Sequence, residues 1–354
     1  MQDIYLILEN GLTFKGKSFG AYKETVGEVV FTTAMTGYPE TLTDPSYFGQ
    51  VIVQTFPLIG NYGVMTEDFE SGKIYARAYV VREKCDFPSN FRCEMTIDEF
   101  LKKEGIPGIY GIDTRRLTKA VREKGVMNGK ISFTPDFDES IKDYKIIDSV
   151  KSTTCESETC LKAENAKKKV VLFDFGAKKN IERELLKRGC CVTVVPAYTS
   201  FERIKELNPD GIMLSNGPGD PAENTEIIEN LKKICTLSIP TFGICLGHQL
   251  LALANGAKTE KLKYGHRGAN QPVVNTETKR VYISSQNHGY HVKSETLCEN
   301  AVLTYVNGND GSCEGIRYKN IPAFSVQFHP EACGGPQDTE FLFDEFVKLM
   351  EVNG

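Results

Sequence analysis

The pattern of hydrophobic and polar positions changes near the middle of the chain. In the first part, short alternating runs are separated by Gly and Pro, which is typical of β-strands joined by turns. Two helices are expected among them, one capped by Thr96 with Glu99 and one that runs from Asp113 to Gly125. We therefore predict a mixed, strand-rich N-terminal domain over residues 1–147. Its strands are expected at residues 4–8, 28–33, 51–56 and 74–81.

In the second part, strand-type and helix-type patterns alternate. The run from Val170 to Phe175 is continuously apolar, as expected for a strand that is covered on both faces. Repeated strand–helix units predict an α/β domain over residues 169–354, with a doubly wound, largely parallel sheet. Such sheets bind ligands beyond the carboxyl ends of their strands. Strands are expected at residues 170–175, 192–195, 211–214, 240–244 and 323–328, and helices at 180–188, 201–207, 223–237 and after 245.

Residues 148–168, between these two parts, are rich in Ser, Thr, Glu and Lys and lack apolar periodicity. We predict a linker here, and a surface loop within a single domain is the alternative. Cys155 and Cys160 lie in this segment, and Cys190 and Cys191 follow it. Neither pair has the matching second half of a zinc site, so we interpret these cysteines as structural or incidental and expect no metal site.

Composition and charge narrow the classes of partner. The chain has 354 residues, a formal net charge of -5 and 25% charged residues. An acidic balance gives no reason to expect nucleic acid as a partner. No apolar stretch is long enough to cross a bilayer, and the first residues lack a basic, apolar leader. We therefore expect a cytoplasmic protein with no membrane partner.

The most specific chemical signal is a Gly-x-Cys-x-Gly sequence at residues 243–247, between a predicted strand and a predicted helix. A sharp strand-to-helix turn exposes the side chain at its tip, so Cys245 is a candidate nucleophile. At a helix N-terminus the free N–H groups and the dipole favour a thiolate. The N–H of Leu246 is a candidate oxyanion donor. The alternative is a buried cysteine at a tight turn.

A thiolate nucleophile needs a group that moves protons. His329 follows a late predicted strand, and Glu331 lies two residues further on, where it could orient the imidazole. A surface His-Pro-Glu turn is the alternative. His248 lies on the helix of Cys245 and is expected to be structural. Residues 215–221 form a Gly- and Pro-rich loop after a strand, suited to a second oxyanion donor, although an ordinary βα turn has the same features.

Residues 215–221, 243–249 and 328–332 together resemble the motifs of the triad-type, class I glutamine amidotransferases. The resemblance covers the chain from about residue 169 onward. It implies that Cys245 attacks the side-chain amide of glutamine and releases ammonia, and that the glutamyl thioester is then hydrolysed. It also implies that His329 transfers the protons and that Glu331 supports His329.

The N-terminal part narrows the family. Residues 36–47, 60–63 and 111–118 resemble the N-terminal domain of carbamoyl-phosphate synthase small subunits. Residues 265–272 resemble another segment of that family, with a role left open between structure and subunit contact. The resemblance implies that glutamine contacts Ser46, Gly217, Gly219, Leu246, Gln249, Asn287, Gly289 and Tyr290.

The same resemblance implies a separate large subunit that uses bicarbonate and ATP. No P-loop is present, so we expect no cofactor in this chain, with ATP and magnesium bound by the large subunit. Assembly beyond a heterodimer and the pathway served, arginine, pyrimidine or both, stay open. Three alternatives remain: an amidotransferase for another acceptor, a catalytically silent regulatory subunit, and a cysteine peptidase.

Overall fold

The computed structural model describes residues 2–332 and 334–353. The chain divides into two compact units, Met1–Ile147 and Asp148–Gly354. None of the helices within the described residues is long and apolar enough to cross a membrane.

The N-terminal unit is built mainly from strands, as the alternating pattern predicts. Its apolar positions pack inward, and Leu6, Val29, Val51 and Ile109 belong to one buried cluster. The strands are β1 (Asp3–Leu8), β2 (Thr13–Gly20), β3 (Thr25–Thr32), β4 (Gln50–Gln54), β5 (Leu58–Ile59), β6 (Ala78–Val80), β7 (Glu83–Lys84), β8 (Pro107–Tyr110) and β9 (Met127–Ser132), and the helices are α1 (Tyr38–Thr43), α2 (Ile97–Lys103) and α3 (Thr114–Lys124).

Most of these strands close into a barrel in the order β1-β2-β8-β6-β4-β3-β9. Closure leaves none of the barrel strands with an unpaired edge. The caps form as predicted. Thr96 Oγ1 accepts from the Glu99 N–H at 3.2 Å, and the Glu99 carboxylate accepts from the Thr96 N–H at 2.8 Å. Asp113 accepts from the Arg116 N–H at 2.9 Å, and Gly125 ends that helix.

The C-terminal unit alternates strands and helices, which confirms the predicted α/β class. Its strands are β10 (Thr159–Lys162), β11 (Lys168–Asp174), β12 (Cys190–Pro196), β13 (Gly211–Leu214), β14 (Thr241–Ile244), β15 (Thr259–Asn275), β16 (Val281–Val292), β17 (Ala301–Asn307), β18 (Cys313–Tyr318) and β19 (Ala323–Val326), and its helices are α4 (Ser149–Thr153), α5 (Lys179–Lys187), α6 (Phe201–Leu207), α7 (Thr225–Cys235), α8 (Leu246–Ala254) and α9 (Phe341–Asn353).

These strands form one sheet in the order β10-β12-β11-β13-β14-β19-β18-β17-β15-β16. The five neighbours β12, β11, β13, β14 and β19 are parallel to one another. All other neighbouring strands of this sheet pair antiparallel. Because β11, β13, β14 and β19 are neighbours, the segments that follow them meet at one edge of the sheet. Cys245, the loop at residues 215–221 and His329 follow β14, β13 and β19, so they lie at this edge.

The segment predicted to be a linker differs from that expectation. Residues 148–168 contain α4 and β10, and they belong to the C-terminal unit. Val150 is buried in the core of this unit, and β10 pairs antiparallel with β12. An edge strand is held by backbone hydrogen bonds on one side, so it needs little apolar periodicity of its own.

The long hairpin of β15 and β16 was not predicted from the pattern. Its pairing register shifts between Lys261 and His266, and again between Gly268 and Gln271. Each shift breaks the two-residue alternation by which a strand is recognised.

Candidate active site

Cys245 lies at a sharp turn between β14 and α8. Its φ of 52° and ψ of -102° are unusual for a residue with a side chain, and such strain concentrates at functional sites. The main-chain N–H of Cys245 donates to Val326 O at 2.9 Å, which holds the turn against β19. Gly247 packs so closely against the carbonyl of Leu214 that a Cβ there would collide with it. The turn therefore requires glycine at position 247, two residues after the cysteine.

His329 and Glu331 form a buried pair. His329 Nδ1 lies 2.6 Å from Glu331 Oε1, and the exposed fractions of the two residues are 1% and 2%. Because a carboxylate only accepts, this contact places a ring proton on Nδ1, so Nε2 is the ring nitrogen that can gain or lose a proton. Nε2 makes no hydrogen bond to any described residue. The His329 N–H donates to Ser285 O at 2.9 Å, which fixes the backbone of the pair.

Charges shift the pKa of both members of this pair. Burial and Lys178 lower the pKa of His329, but Glu331 and Cys245 raise it more, so the net shift is upward. Burial raises the pKa of Glu331, but His329 and Lys178 outweigh burial and hold it well below its usual range. The influence of Cys245 on His329 indicates that the sulfur and the imidazole share one electrostatic environment.

Lys178 is a member of the site that sequence reasoning missed. Its Nζ lies 3.5 Å from Glu331 Oε1 and 3.3 Å from His329 Nδ1. Since an ammonium and a protonated Nδ1 both donate, the attraction of Lys178 is to the carboxylate. No motif marks this lysine. It comes directly before α5, at the end of the segment that follows β11.

The glycine-rich loop after β13 fixes the segment that carries Lys178. Ser215 Oγ accepts from the Phe175 N–H at 2.9 Å, and Asn216 Oδ1 accepts from the Lys178 N–H at 3.0 Å. Gly219 has a φ of 91°, and a Cβ there would collide with the side chain of Ser149. The loop and its neighbours therefore form one hydrogen-bonded assembly at the edge of the sheet.

β16 supplies the other wall beside the cysteine. Cys245 Sγ donates to Asn287 O at 3.9 Å. The side-chain amide of Gln249 donates to Tyr290 O at 2.7 Å and to Gln327 Oε1 at 2.9 Å. The contact of Tyr290 with Gln249 is thus made by its main chain. Gly289 lies between Asn287 and Tyr290 in the chain. Both of these residues use their main-chain oxygens, one toward Cys245 and the other toward Gln249.

A polar network lies behind this wall. Glu314 is fully buried and accepts from Gln286 Nε2 at 3.0 Å and from Asn307 Nδ2 at 3.1 Å. Gln286 Oε1 also lies 3.1 Å from Nε2 of His288. The other ring nitrogen of His288, Nδ1, donates to Tyr290 O at 2.7 Å. The network was not foreseen because its members come from separate strands.

His266 joins the same network. Its Nε2 lies 2.9 Å from Asp310 Oδ2, and its Nδ1 lies 3.6 Å from Glu314 Oε1. Candidate metal-binding atoms of His266, His288 and Glu314 lie within 4.8 Å of one another. Protein hydrogen bonds and ion pairs already engage these side chains, so the cluster is accounted for as a polar network.

Two other predicted residues have clear positions. His248 is completely buried, its Nδ1 lies 2.8 Å from Ser325 Oγ, and burial lowers its pKa to about 3, as fits a structural histidine. Ser46 lies in a short 3₁₀ turn of the N-terminal unit, where its N–H donates to Asp44 at 2.9 Å. The other predicted site residues, Gly217, Gly219, Leu246, Gln249, Asn287, Gly289 and Tyr290, all belong to the C-terminal unit.

Comparison with known proteins defines the class of this site. The model of the class-I glutamine amidotransferases matches residues 171–349, which contain the cysteine turn and the His–Glu pair. The model of the carbamoyl-phosphate synthase small chain, CPSase domain, matches residues 6–131. The chain therefore belongs to the carbamoyl phosphate synthase small chain family, and its C-terminal part is a class-I glutamine amidotransferase domain.

Similar proteins match over nearly their full length. The carbamoyl phosphate synthase small chain of Clostridium perfringens is 52% identical over 347 residues, which cover 97% of this chain and 98% of that protein. The protein of the same name from Fusobacterium nucleatum is 52% identical and covers 100% of this chain and 99% of its own. The protein of the same name from Listeria monocytogenes serotype 4b is 49% identical, and the match covers 98% of this chain and 96% of that protein. The resemblance stated from the motifs is thereby confirmed.

Proposed function

We propose that this chain is the glutamine-hydrolysing subunit of a carbamoyl phosphate synthase, and that it produces ammonia through Cys245, His329 and Glu331. One observation carries the proposal. A cysteine in a strained strand-to-helix turn shares its surroundings with a buried His–Glu pair whose outer ring nitrogen makes no hydrogen bond to a described residue. Family membership supports the substrate and the acceptor.

In the proposed reaction, the sulfur of Cys245 attacks the side-chain carbonyl carbon of glutamine. A proton reaches the leaving nitrogen from His329, ammonia departs, and a glutamyl thioester remains on the sulfur. Water then attacks the thioester with His329 as base, and glutamate leaves. Glu331 keeps the Nδ1 proton in place and balances the imidazolium charge.

The turn also suits the oxyanion that forms in both halves of this reaction. The first N–H groups of a helix have no partner within the helix, and α8 begins directly after the cysteine. The main-chain N–H of Leu246 is therefore proposed as one oxyanion donor, with the Gly217–Gly219 backbone nearby as a second source. Gln249, Asn287, Gly289 and Tyr290 of the C-terminal unit are proposed to hold the glutamine.

The proposed partner is a large subunit that combines the ammonia with bicarbonate at the expense of ATP, with magnesium bound there. A subunit that hydrolysed glutamine continuously by itself would waste it. We therefore expect the large subunit to stimulate glutamine hydrolysis.

The test is glutamate release by the wild-type chain and by Cys245→Ala, each with and without a carbamoyl phosphate synthase large subunit. We expect hydrolysis that requires Cys245 and increases with the partner. Equal rates in the presence and absence of the partner, with Cys245 still required, would point to another acceptor. No hydrolysis under any condition would favour a catalytically silent regulatory subunit.

A further inference from the structure

Two cysteines that are far apart in sequence meet on the surface of the C-terminal unit. Cys160 Sγ and Cys191 Sγ lie 3.6 Å apart, although 31 positions separate the residues. In the antiparallel pairing of β10 and β12, Cys160 is opposite Thr193 and Cys191 is opposite Lys162. The two cysteines are therefore diagonal neighbours on one face of the sheet, where side chains come within reach of each other.

The surroundings of the pair favour thiol chemistry. Cys160 is exposed on β10, which is the edge strand, and Cys191 is half-buried. Lys162 is opposite Cys191 on one side, and Lys169 of β11 is opposite it on the other. At Cys191 these two lysines offset part of the rise in pKa that burial causes. The same lysines attract small anionic reagents.

We propose that Cys160 and Cys191 form a reversible disulfide site, oxidised by exchange with an anionic low-molecular-weight disulfide of the glutathione type. In the first step the exposed Cys160 thiolate attacks one sulfur of the reagent, whose S–S bond breaks and releases one thiol. In the second step the sulfur of Cys191 attacks Cys160, and the second reagent thiol leaves. Two protein thiols and one reagent disulfide thus become one protein disulfide and two reagent thiols.

The order of the steps follows from exposure. Burial and the neighbouring Cys160 raise the pKa of Cys191, while Lys162 and Lys169 lower it in part. Cys191 therefore suits the resolving role, in which it meets a sulfur that is already in contact with it. Closing the pair shortens the separation of the sulfurs by roughly 1.5 Å, since a disulfide bond is about 2.05 Å long. Cys160 lies on the edge strand β10, which pairs with one neighbour only, so this strand is the one that shifts when the disulfide closes.

The disulfide would tie the edge strand to the sheet directly after α4. That helix touches the glycine-rich loop, because Ser149 Oγ donates to Pro218 O at 3.1 Å. The site does not depend on glutamine chemistry, and the proposal is independent of the function proposed above.

The chain offers matched controls. Cys155 lies in the same segment as Cys160, and burial together with Asp174 raises its pKa to about 12. Cys190 precedes Cys191 and is completely buried. We expect neither Cys155 nor Cys190 to take the place of Cys160 or Cys191 in the disulfide. The variants Cys155→Ser and Cys190→Ser therefore test whether the cross-link is specific to the pair in contact.

The experiment is incubation of the reduced full-length chain with oxidised glutathione, followed by intact-mass measurement and peptide mapping without reduction. We expect a species lighter by two hydrogen atoms in the wild type, Cys155→Ser and Cys190→Ser, reversed by reduced glutathione. In Cys191→Ser we expect a lasting glutathione adduct on Cys160 instead. The proposal is overturned if the wild type gains no internal disulfide, or if Cys160→Ser and Cys191→Ser both keep the same cross-linked peptides.

Discussion

His329 Nδ1 and Glu331 Oε1 lie 2.6 Å apart in the interior of the C-terminal unit, and Lys178 Nζ lies 3.5 Å from the same carboxylate oxygen. The carboxylate thus stands between two groups that carry positive charge. A buried carboxylate with two such partners stays ionised, and removal of its charge leaves both partners uncompensated.

The charge of Glu331 is expected to matter for catalysis. In Glu331→Gln the neutral amide no longer balances the positive charge of a protonated His329. It also no longer requires the ring proton of His329 to lie on Nδ1. We expect kcat for glutamine hydrolysis to fall by about 10²-fold or more, because general acid–base catalysis contributes on that order. Glu331→Asp keeps the charge and should lose less. An unchanged kcat in a folded Glu331→Gln chain would contradict the assigned role.

The same pair predicts a pH-dependent contribution to stability. The lowered pKa of Glu331 gives stability that is complete above the ordinary carboxyl pKa and is lost as the pH falls through the lowered value. The raised pKa of His329 gives stability that is complete below the ordinary histidine pKa and is lost as the pH rises through the raised value. The difference in unfolding free energy between the wild type and Glu331→Gln should therefore be largest between about pH 4.5 and 6.5. Urea unfolding across the pH range measures it, and a difference that grows steadily toward either extreme would contradict it.

Glu314 is expected to act on glutamine binding through its neighbours. Polar contacts lead from Glu314 to Gln286 and on to His288, and His288 donates to Tyr290 O, which also accepts from Gln249. In Glu314→Gln the charge-assisted contacts weaken, and we expect KM for glutamine to rise about tenfold with little change in kcat.

The control for this variant is Asp310→Asn. Asp310 contacts the outer side of His266 and is itself more exposed, so its loss should leave KM nearly unchanged. A fall in kcat at constant KM in Glu314→Gln would contradict a positioning role.

The glycine-rich loop predicts a steric effect that a second change relieves. Gly219→Ala places a Cβ against the Ser149 hydroxyl, at a φ of 91° that disfavours side chains. We expect a loss of about 1–3 kcal/mol in unfolding free energy from the backbone strain and the collision together. Ser149→Gly alone loses the hydrogen bond to Pro218 O, so it serves as the reference, and Gly219→Ala should cost less in that background because the collision is gone. The measurement is denaturant unfolding of Gly219→Ala with and without Ser149→Gly, and an equal cost in both backgrounds would exclude the contact with Ser149.

The cap of α2 predicts a purely structural change. Thr96→Ala removes the acceptor for the Glu99 N–H and should cost about 1 kcal/mol of stability. Glu99→Gln keeps an acceptor for the Thr96 N–H and should cost less. Chemical unfolding measures both variants, and an equal loss in the two would contradict the reciprocal capping geometry.

Much of the architecture was predictable because it depends on neighbours within a few residues. The cap at Thr96, the buried run that begins at Val170 and the strand–Cys245–helix turn all follow from local spacing. The structure of residues 148–168 was harder to predict, since an edge strand and a short helix have little hydrophobic periodicity of their own.

The nucleophile turn, the strand-rich and α/β parts and the family motifs could all be predicted from the order of residues along the chain. The contacts of Lys178 with Glu331, of Glu314 with His266 and of Cys160 with Cys191 became visible only in the folded protein. The physical reason is that local structure follows from short-range spacing, whereas contacts between distant positions depend on the order and register of strands in the sheet.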